Sequence, residues 1–157
     1  MSSKSTATPE NALTQEEIDT RLGSTALARL ASFRADGMIH LTPIWFDWDG
    51  LVFRLTLGAG RVHLKNLAAD PRVTILVDED PRLQDGLAAG AWAIECRGTA
   101  ELSTDEALIL EVTHRALVKA LGEDDAAQYT TPLMAEGRTI VTITPGTWHT
   151  WDYNKVN

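Results

Sequence analysis

A chain of 157 residues, 44% of them hydrophobic, is long enough for one domain with a buried core, and its single cysteine, Cys96, excludes an internal disulfide or a CxxC-type zinc site. A formal net charge of −8 with scattered basic residues argues against a long phosphate backbone, so no nucleic-acid partner is expected, while a small anion held by a local basic cluster stays open. No apolar run approaches the ~18–20 residues of a membrane span, and the first residues lack the apolar stretch of a secretory signal, so a cytoplasmic chain without membrane contact is expected.

Residues 1–13 read as a polar tail and 14–157 as one domain. Thr14 with Glu17 three residues on is a capping-box signature, predicting a helix over 15–22 that stops at Gly23. Residues 25–36 read as a strand, Asp36-Gly37 as a two-residue hairpin turn and 38–48 as the partner strand. Along that partner Ile39, Leu41, Pro43 and Trp45 share one face, and His40, Thr42, Ile44 and Phe46 share the other. Both faces turn apolar toward the end, which predicts burial on both sides. Asp49-Gly50 predicts a second turn. "LVFRLTL" then alternates, with Leu51, Phe53, Leu55 and Leu57 on one face.

After the glycine-rich stretch at 58–60 a short helix is expected, ended by Asp70-Pro71. Residues 72–80 read as a strand, 81–90 as a loop and 91–102 as a long strand. Ser103 with Glu106 reads as a second capping box. The helix behind it carries Leu110, His114, Leu117 and Leu121 on one face and stops at Gly122. Residues 122–137 mix helix and loop. A strand over 138–144, a Pro145-Gly146 turn and a last short strand over 147–153 complete the chain. Six or seven mostly hairpin-linked strands with two or three helices predict a mainly β (α+β) protein, an antiparallel barrel with helices outside it.

Three stretches carry candidate chemistry. In "GAGRVHLKNLAADPRV", Arg61 could grip a phosphate bidentately, Lys65 adds a point charge, and His63 donates a hydrogen bond. All three cannot face one ligand if the helix begins at Arg61, since alternate helix positions diverge by roughly 200°. Arg61 and His63 in an extended lead-in could; a solvated helix face is the plain alternative. In "HLTPIWF", Pro43 removes a ladder donor, which marks an edge or bulge and frees backbone for a planar ligand. Trp45 and Phe46 could wall such a site or simply pack in a core. In "TWHTWDY", two tryptophans and a tyrosine suit an interface, a cofactor lid or a barrel cap. His40, His114 and His149 stand alone, with no metal-ligand spacing. No side-chain nucleophile is evident, so catalytic residues are assigned to none, and in an enzyme a cofactor would carry the chemistry.

Taken in order, "ALARLASFRADGMIHLTPIWFDWDG", "GRVHLKNLAADPRVTILVDED", "RGTAEL" and "ITPGTWHTWDY" resemble the pyridoxamine 5′-phosphate oxidase-like superfamily, and within it the flavin/deazaflavin-dependent oxidoreductases. The family pattern G-R-x-K-x-x-N-L-x-x-D-P-R is matched at Gly60, Arg61, Asn66, Leu67, Asp70, Pro71 and Arg72. Its lysine falls on His63. The resemblance implies a split β-barrel and a homodimer with two cofactor sites at the subunit interface. It implies that FMN or the deazaflavin coenzyme F-420 is bound, its phosphate held by Arg61, His63 and Lys65 beside Asn66. The backbone of Thr42, Pro43, Ile44 and Trp45 would line the ring. Thr56 and Gly58 would sit near the ribityl and phosphate end, and Trp148 and Trp151 would approach from the partner chain. The implied activity is hydride transfer to or from a small organic substrate. A non-catalytic FMN- or haem-binding split barrel is the alternative.

Overall fold

The computed structural model describes residues 9–80 and 90–155. Residues 1–8 of the expected tail and 81–89 of the expected loop lie outside the described residues. The first helix, α1 (Gln15–Ser24), opens with the capping box: Thr14 Oγ1 accepts from the Glu17 amide (3.2 Å) and Glu17 Oε2 from the Thr14 amide (2.7 Å). Gly23 does not adopt a positive φ, so it does not end the helix, which runs on to Ser24. Asn11–Leu13, read from sequence as tail, are tied to the far end of the chain. The Leu13 amide donates to Thr150 Oγ1 (3.0 Å), the Asp152 amide donates to Asn11 O (2.8 Å), and the Leu13 side chain is buried.

Strands β1 (Leu27–Phe33) and β2 (Ile39–Trp45) form a hairpin. Its loop is longer than the two residues expected. The Arg34 amide donates to Met38 O, the Gly37 amide donates to Arg34 O, and Gly37 has φ +81°. This is a turn closed by a left-handed glycine, a conformation with no Cβ penalty for glycine. The expected 38–48 strand is two strands, β2 and the short β3 (Asp47–Trp48), parted by Phe46. In β4 (Phe53–Gly58) the Phe53, Leu55, Leu57 face is buried as expected, but Leu51 is exposed. Asp49 Oδ1 accepts from the Leu51 and Val52 amides (2.9 Å each), which holds Leu51 in the turn.

The order continues with α2 (Val62–Ala69), β5 (Arg72–Glu79), β6 (Trp92–Ser103), α3 (Glu106–Leu121), α4 (Glu123–Ala135) and β7 (Arg138–Asp152), closed by a single 3-10 turn at Tyr153–Lys155. Ser103 is not the cap of α3. Asp105 is: its Oδ1 accepts from the Leu108 amide (3.0 Å), while Ser103 ends β6 and accepts from the Asp105 amide (3.2 Å). The buried stripe of α3 is Ile109, Val112, Thr113, Ala116 and Leu117, and Leu110 and Leu121 are exposed. Pro145-Gly146 is no hairpin turn either. Strand β7 is continuous, pairing Gly98 with Pro145 and Arg97 with Thr147, so Gly146 is an extra residue in a β-bulge.

All pairings are antiparallel, in the order β2-β1-β5-β6-β7-β4-β3. The two end strands, β2 and β3, are joined through Phe46 alone. The sheet must therefore curl until its ends nearly meet, giving a half-barrel with helices around it. Phe46 is fully buried at the junction, 5.8 Å from the Phe53 ring and capped by Lys119 Nζ (3.8 Å). Inside the curl, Leu30, Phe53, Leu55, Ile75, Ile94 and Ile143 pack with Ile18 and Leu22 of α1. On the other face of β7, Ile140 packs against Ile109 and Val112 of α3. Being an edge strand, β2 is not buried on both sides as expected: Ile39, Leu41, Pro43 and Trp45 face outward and are exposed.

Candidate functional site

The glycine-rich stretch turns sharply into α2. Gly60 has φ +79°, the Arg61 amide donates to Gly58 O (3.3 Å), and the Ala59 amide ties the loop to Gly137 O (3.1 Å). Arg61 is extended (φ −64°, ψ 139°), and the helix begins at Val62. His63 therefore lies in the first turn, two residues beyond an extended arginine. His63, Asn66 and Leu67, at i, i+3 and i+4, are the buried face of α2. Asn66 Nδ2 donates to Ser32 Oγ (3.2 Å) on β1, and the His63 ring stacks 4.6 Å from the His40 ring on β2. Ser32 and His40 are themselves cross-strand partners. Lys65 is exposed and lines none of the clefts described here. The three basic residues thus separate as helix geometry requires: Arg61 and His63 on one cleft, Lys65 outside it.

That cleft, about 290 Å3, is lined by Thr42, Pro43 and Ile44 of β2, Thr56 and Gly58 of β4, Arg61, His63, Glu136 and Arg138. A second, of about 310 Å3, shares Pro43, Ile44, Thr56, Leu133 and Arg138 and adds Leu27, Trp45, Thr113, Ala116 and Leu117. Together they form one groove along the inner edge of β2, basic at one end and apolar at the other. Among the described residues no strand lies along one side of the β2 backbone, which leaves amide and carbonyl groups for a ligand.

Arg138, which the sequence reading missed, lies at the centre. Its Nε donates to Thr56 Oγ1 (3.0 Å) and its Nη2 to Thr56 O (2.6 Å), while Thr56 Oγ1 also meets Thr113 Oγ1 (2.9 Å). The guanidinium is thereby fixed in orientation. Burial lowers its pKa, Glu136 raises it in part, and nearby Arg61 lowers it further. Arginine stays charged through shifts of this kind. Among the described residues neither Arg61 nor Arg138 closes an ion pair. The only sequence signal for Arg138 was an arginine after a glycine turn at the start of a strand, and Gly137 does take φ +70° there.

His63 is only 8% exposed, and both its ring nitrogens lack a hydrogen-bond partner, as does Nδ1 of His40. Buried polar atoms are nearly always paired. Burial chiefly, then His40 and Arg61, push the His63 pKa below its ordinary value, so the ring is neutral near pH 7. Two unpaired guanidiniums and an orphaned imidazole converging on one cleft are the donor set of an oxyanion site. The groove joins this cationic end to an apolar one.

Trp148 points into the curl and packs edge-on against Trp48 (5.9 Å), while Trp151 lies on the outer face beside His149 (5.2 Å). Neither lines the groove of its own chain. A larger cleft, about 480 Å3, lies on the outer sheet face with Arg72 and Arg97 at its rim. Both of those arginines are paired, with Asp70 and Glu95. His114 lies between α3 and α4, bonded to Thr130 Oγ1 (3.3 Å). Among the described residues no three His, Cys, Asp or Glu side chains are grouped to hold a metal ion, and no helix is long and apolar enough to cross a membrane.

Solved structures share the fold. A conserved hypothetical protein, Rv2991 from Mycobacterium tuberculosis, superposes with TM-score 0.82 at 23% identity over 95% of this chain and 91% of that one. An F420 reductase gives 0.58 at 24% identity over 83% and 94%. HutZ, the heme storage protein from Vibrio cholerae, gives 0.65 at 18% identity over 87% and 92%. A search of curated proteins gives no match. The pyridoxamine 5′-phosphate oxidase family model matches residues 14–152, and the chain belongs to that family.

Proposed function

We propose that this chain binds a phosphate-bearing flavin or deazaflavin, FMN or coenzyme F-420, and is an oxidoreductase acting on a small organic substrate. The observation that carries this reading is the convergence of Arg61, Arg138 and the partnerless His63 at one end of a groove whose other end is apolar. Family membership and the likeness to an F420 reductase support it.

Such a cofactor would supply the hydride chemistry. The chain's own residues bind and orient. Arg61 and Arg138 take the phosphate, and Thr56 with Thr113 hold the Arg138 plane. The unpaired edge of β2, at Thr42–Trp45, would hold the ring through backbone groups. Ile44, Trp45, Ala116, Leu117 and Leu133 shield the apolar end from water. A homodimer belongs to the proposal: the outward row Ile39, Leu41, Pro43 and Trp45 is the surface a second copy would cover.

The test is titration of the apo-protein with FMN and, separately, with the deazaflavin, following quenching of the five tryptophans. Tight saturable binding of one names the cofactor and directs a substrate screen with it. Binding of neither refutes the reading. Binding without turnover across that screen favours a non-catalytic cofactor carrier.

A further inference from the structure

We propose that His40 and His63 act together as a proton-accepting pair, so that a doubly charged oxyanion binding between Arg61 and Arg138 brings one proton from solvent onto the pair. The inference rests on the reading of this cleft as an anion site and adds to it a coupled proton and a role for His40.

Charge supplies the reason. The groups facing His63 are His40 on β2, Arg61 ahead of α2, Glu136 after α4 and Arg138 on β7. From β1 comes only the neutral Ser32, and the Asn66 amide engages it. Lys65 of α2 is exposed. Two guanidiniums and one carboxylate leave the cleft one positive charge. A dianion placed there leaves one negative charge in a partly buried space. A proton on an imidazole completes neutrality.

The geometry provides a place for that proton. Both nitrogens of His63 and Nδ1 of His40 are buried and unpartnered, and the rings stack 4.6 Å apart. Without an anion, His63 shares its cleft with Arg61 and Arg138, and burial with the neighbouring Arg61 disfavours its charged form. An oxyanion supplies the missing acceptor and countercharge together, and both favour the charged ring. A lysine at position 63 would carry its charge permanently.

The experiment follows the histidine ring Cε1–H resonances by NMR across pH 5 to 9, with and without sulfate at matched ionic strength. Sulfate keeps both charges through that range, so the anion itself does not titrate. His63→Gln and His40→Gln assign the signals. The expected result is a rise of the His63 midpoint by about one unit or more on saturation. Sulfate affinity should fall by up to tenfold per pH unit between the free and the sulfate-bound midpoints and level off above the latter. In His63→Lys it should be nearly independent of pH, a change that a merely structural histidine would not produce. An unmoved midpoint at saturating sulfate, or no sulfate binding at all, overturns the proposal. If sulfate moves the midpoint while neither cofactor binds, the proton-coupled site stands and the flavin reading falls. If FMN, whose phosphate monoester is mostly doubly charged near about pH 7, binds there with no proton taken up in calorimetry across two buffers, the flavin reading stands and this proposal falls.

Discussion

Replacing Arg138 with alanine tests whether position or mere charge makes the groove an anion site. Lys65→Ala is the matched control. Each variant removes one positive charge from a chain of formal charge −8. The long-range field changes equally, and only the location differs. Arg138 lines both halves of the groove and is fixed by two bonds to Thr56, whereas Lys65 is exposed and outside. A charge-assisted hydrogen bond is worth about 1.5–3 kcal/mol, so Arg138→Ala should weaken FMN or deazaflavin binding by about 10- to 150-fold. Lys65→Ala should change it by less than about threefold, because exposed charges are screened over a Debye length. The fold should tolerate the loss. Thr56 Oγ1 keeps its partner Thr113 Oγ1, and one orphaned bond to Thr56 O costs about 1 kcal/mol. Tryptophan-quenching titrations give the affinities, and urea unfolding checks the stability. Binding by Arg138→Ala within about twofold of the unmodified chain, or an equal loss in Lys65→Ala, would refute the assignment.

Asp105→Ala should cost about 1 kcal/mol of unfolding free energy in urea, and Ser103→Ala less than about half of that, since only Asp105 caps the helix amides. Gly98→Ala should destabilise by about 2 kcal/mol, because a Cβ there would run into Thr144 O and sit 3.0 Å from Ile143 Cγ2 at the bulge. Thermal scans should show a fall of about 4–8 °C. His63, whose folded pKa is held by burial below the ordinary histidine value of about 6.5, binds a proton more readily in the unfolded chain. Its share of stability is thus present above about pH 6.5 and lost as pH falls through and below that value. The melting temperature should drop across that window, less steeply in His63→Gln, and sulfate should restore part of the loss. An identical slope in His63→Gln would show that other groups set the acid sensitivity.

Local patterning was legible where neighbours in sequence are neighbours in space. The Thr14–Glu17 box, the alternation of β4, the glycine turn before α2 and the stop at Gly122 all act over a few residues, and all appear in the structure. Arg61, His63 and the Thr42–Trp45 strand could be marked as site candidates because motif and proline chemistry are local too. Strand burial was not legible in the same way. Ile39, Leu41 and Trp45 look like core residues, and only the seven-strand order places β2 at an edge with that row outward. The face of α3 was misjudged for the same reason, since the partners that choose its stripe lie on β4, β7 and α4.

The sequence by itself determined a β-rich domain with a basic glycine loop and no metal-ligand or nucleophile motif. Tertiary structure decided which charges meet. Arg138 lies 77 positions beyond Arg61 by residue number, yet the β4–β7 pairing sets Gly58 against Arg138 and brings both arginines to one cleft. His40 and His63 meet only because α2 folds back over the β1–β2 hairpin. Hydrogen bonds across a curled sheet make such contacts, and no local rule of spacing encodes them.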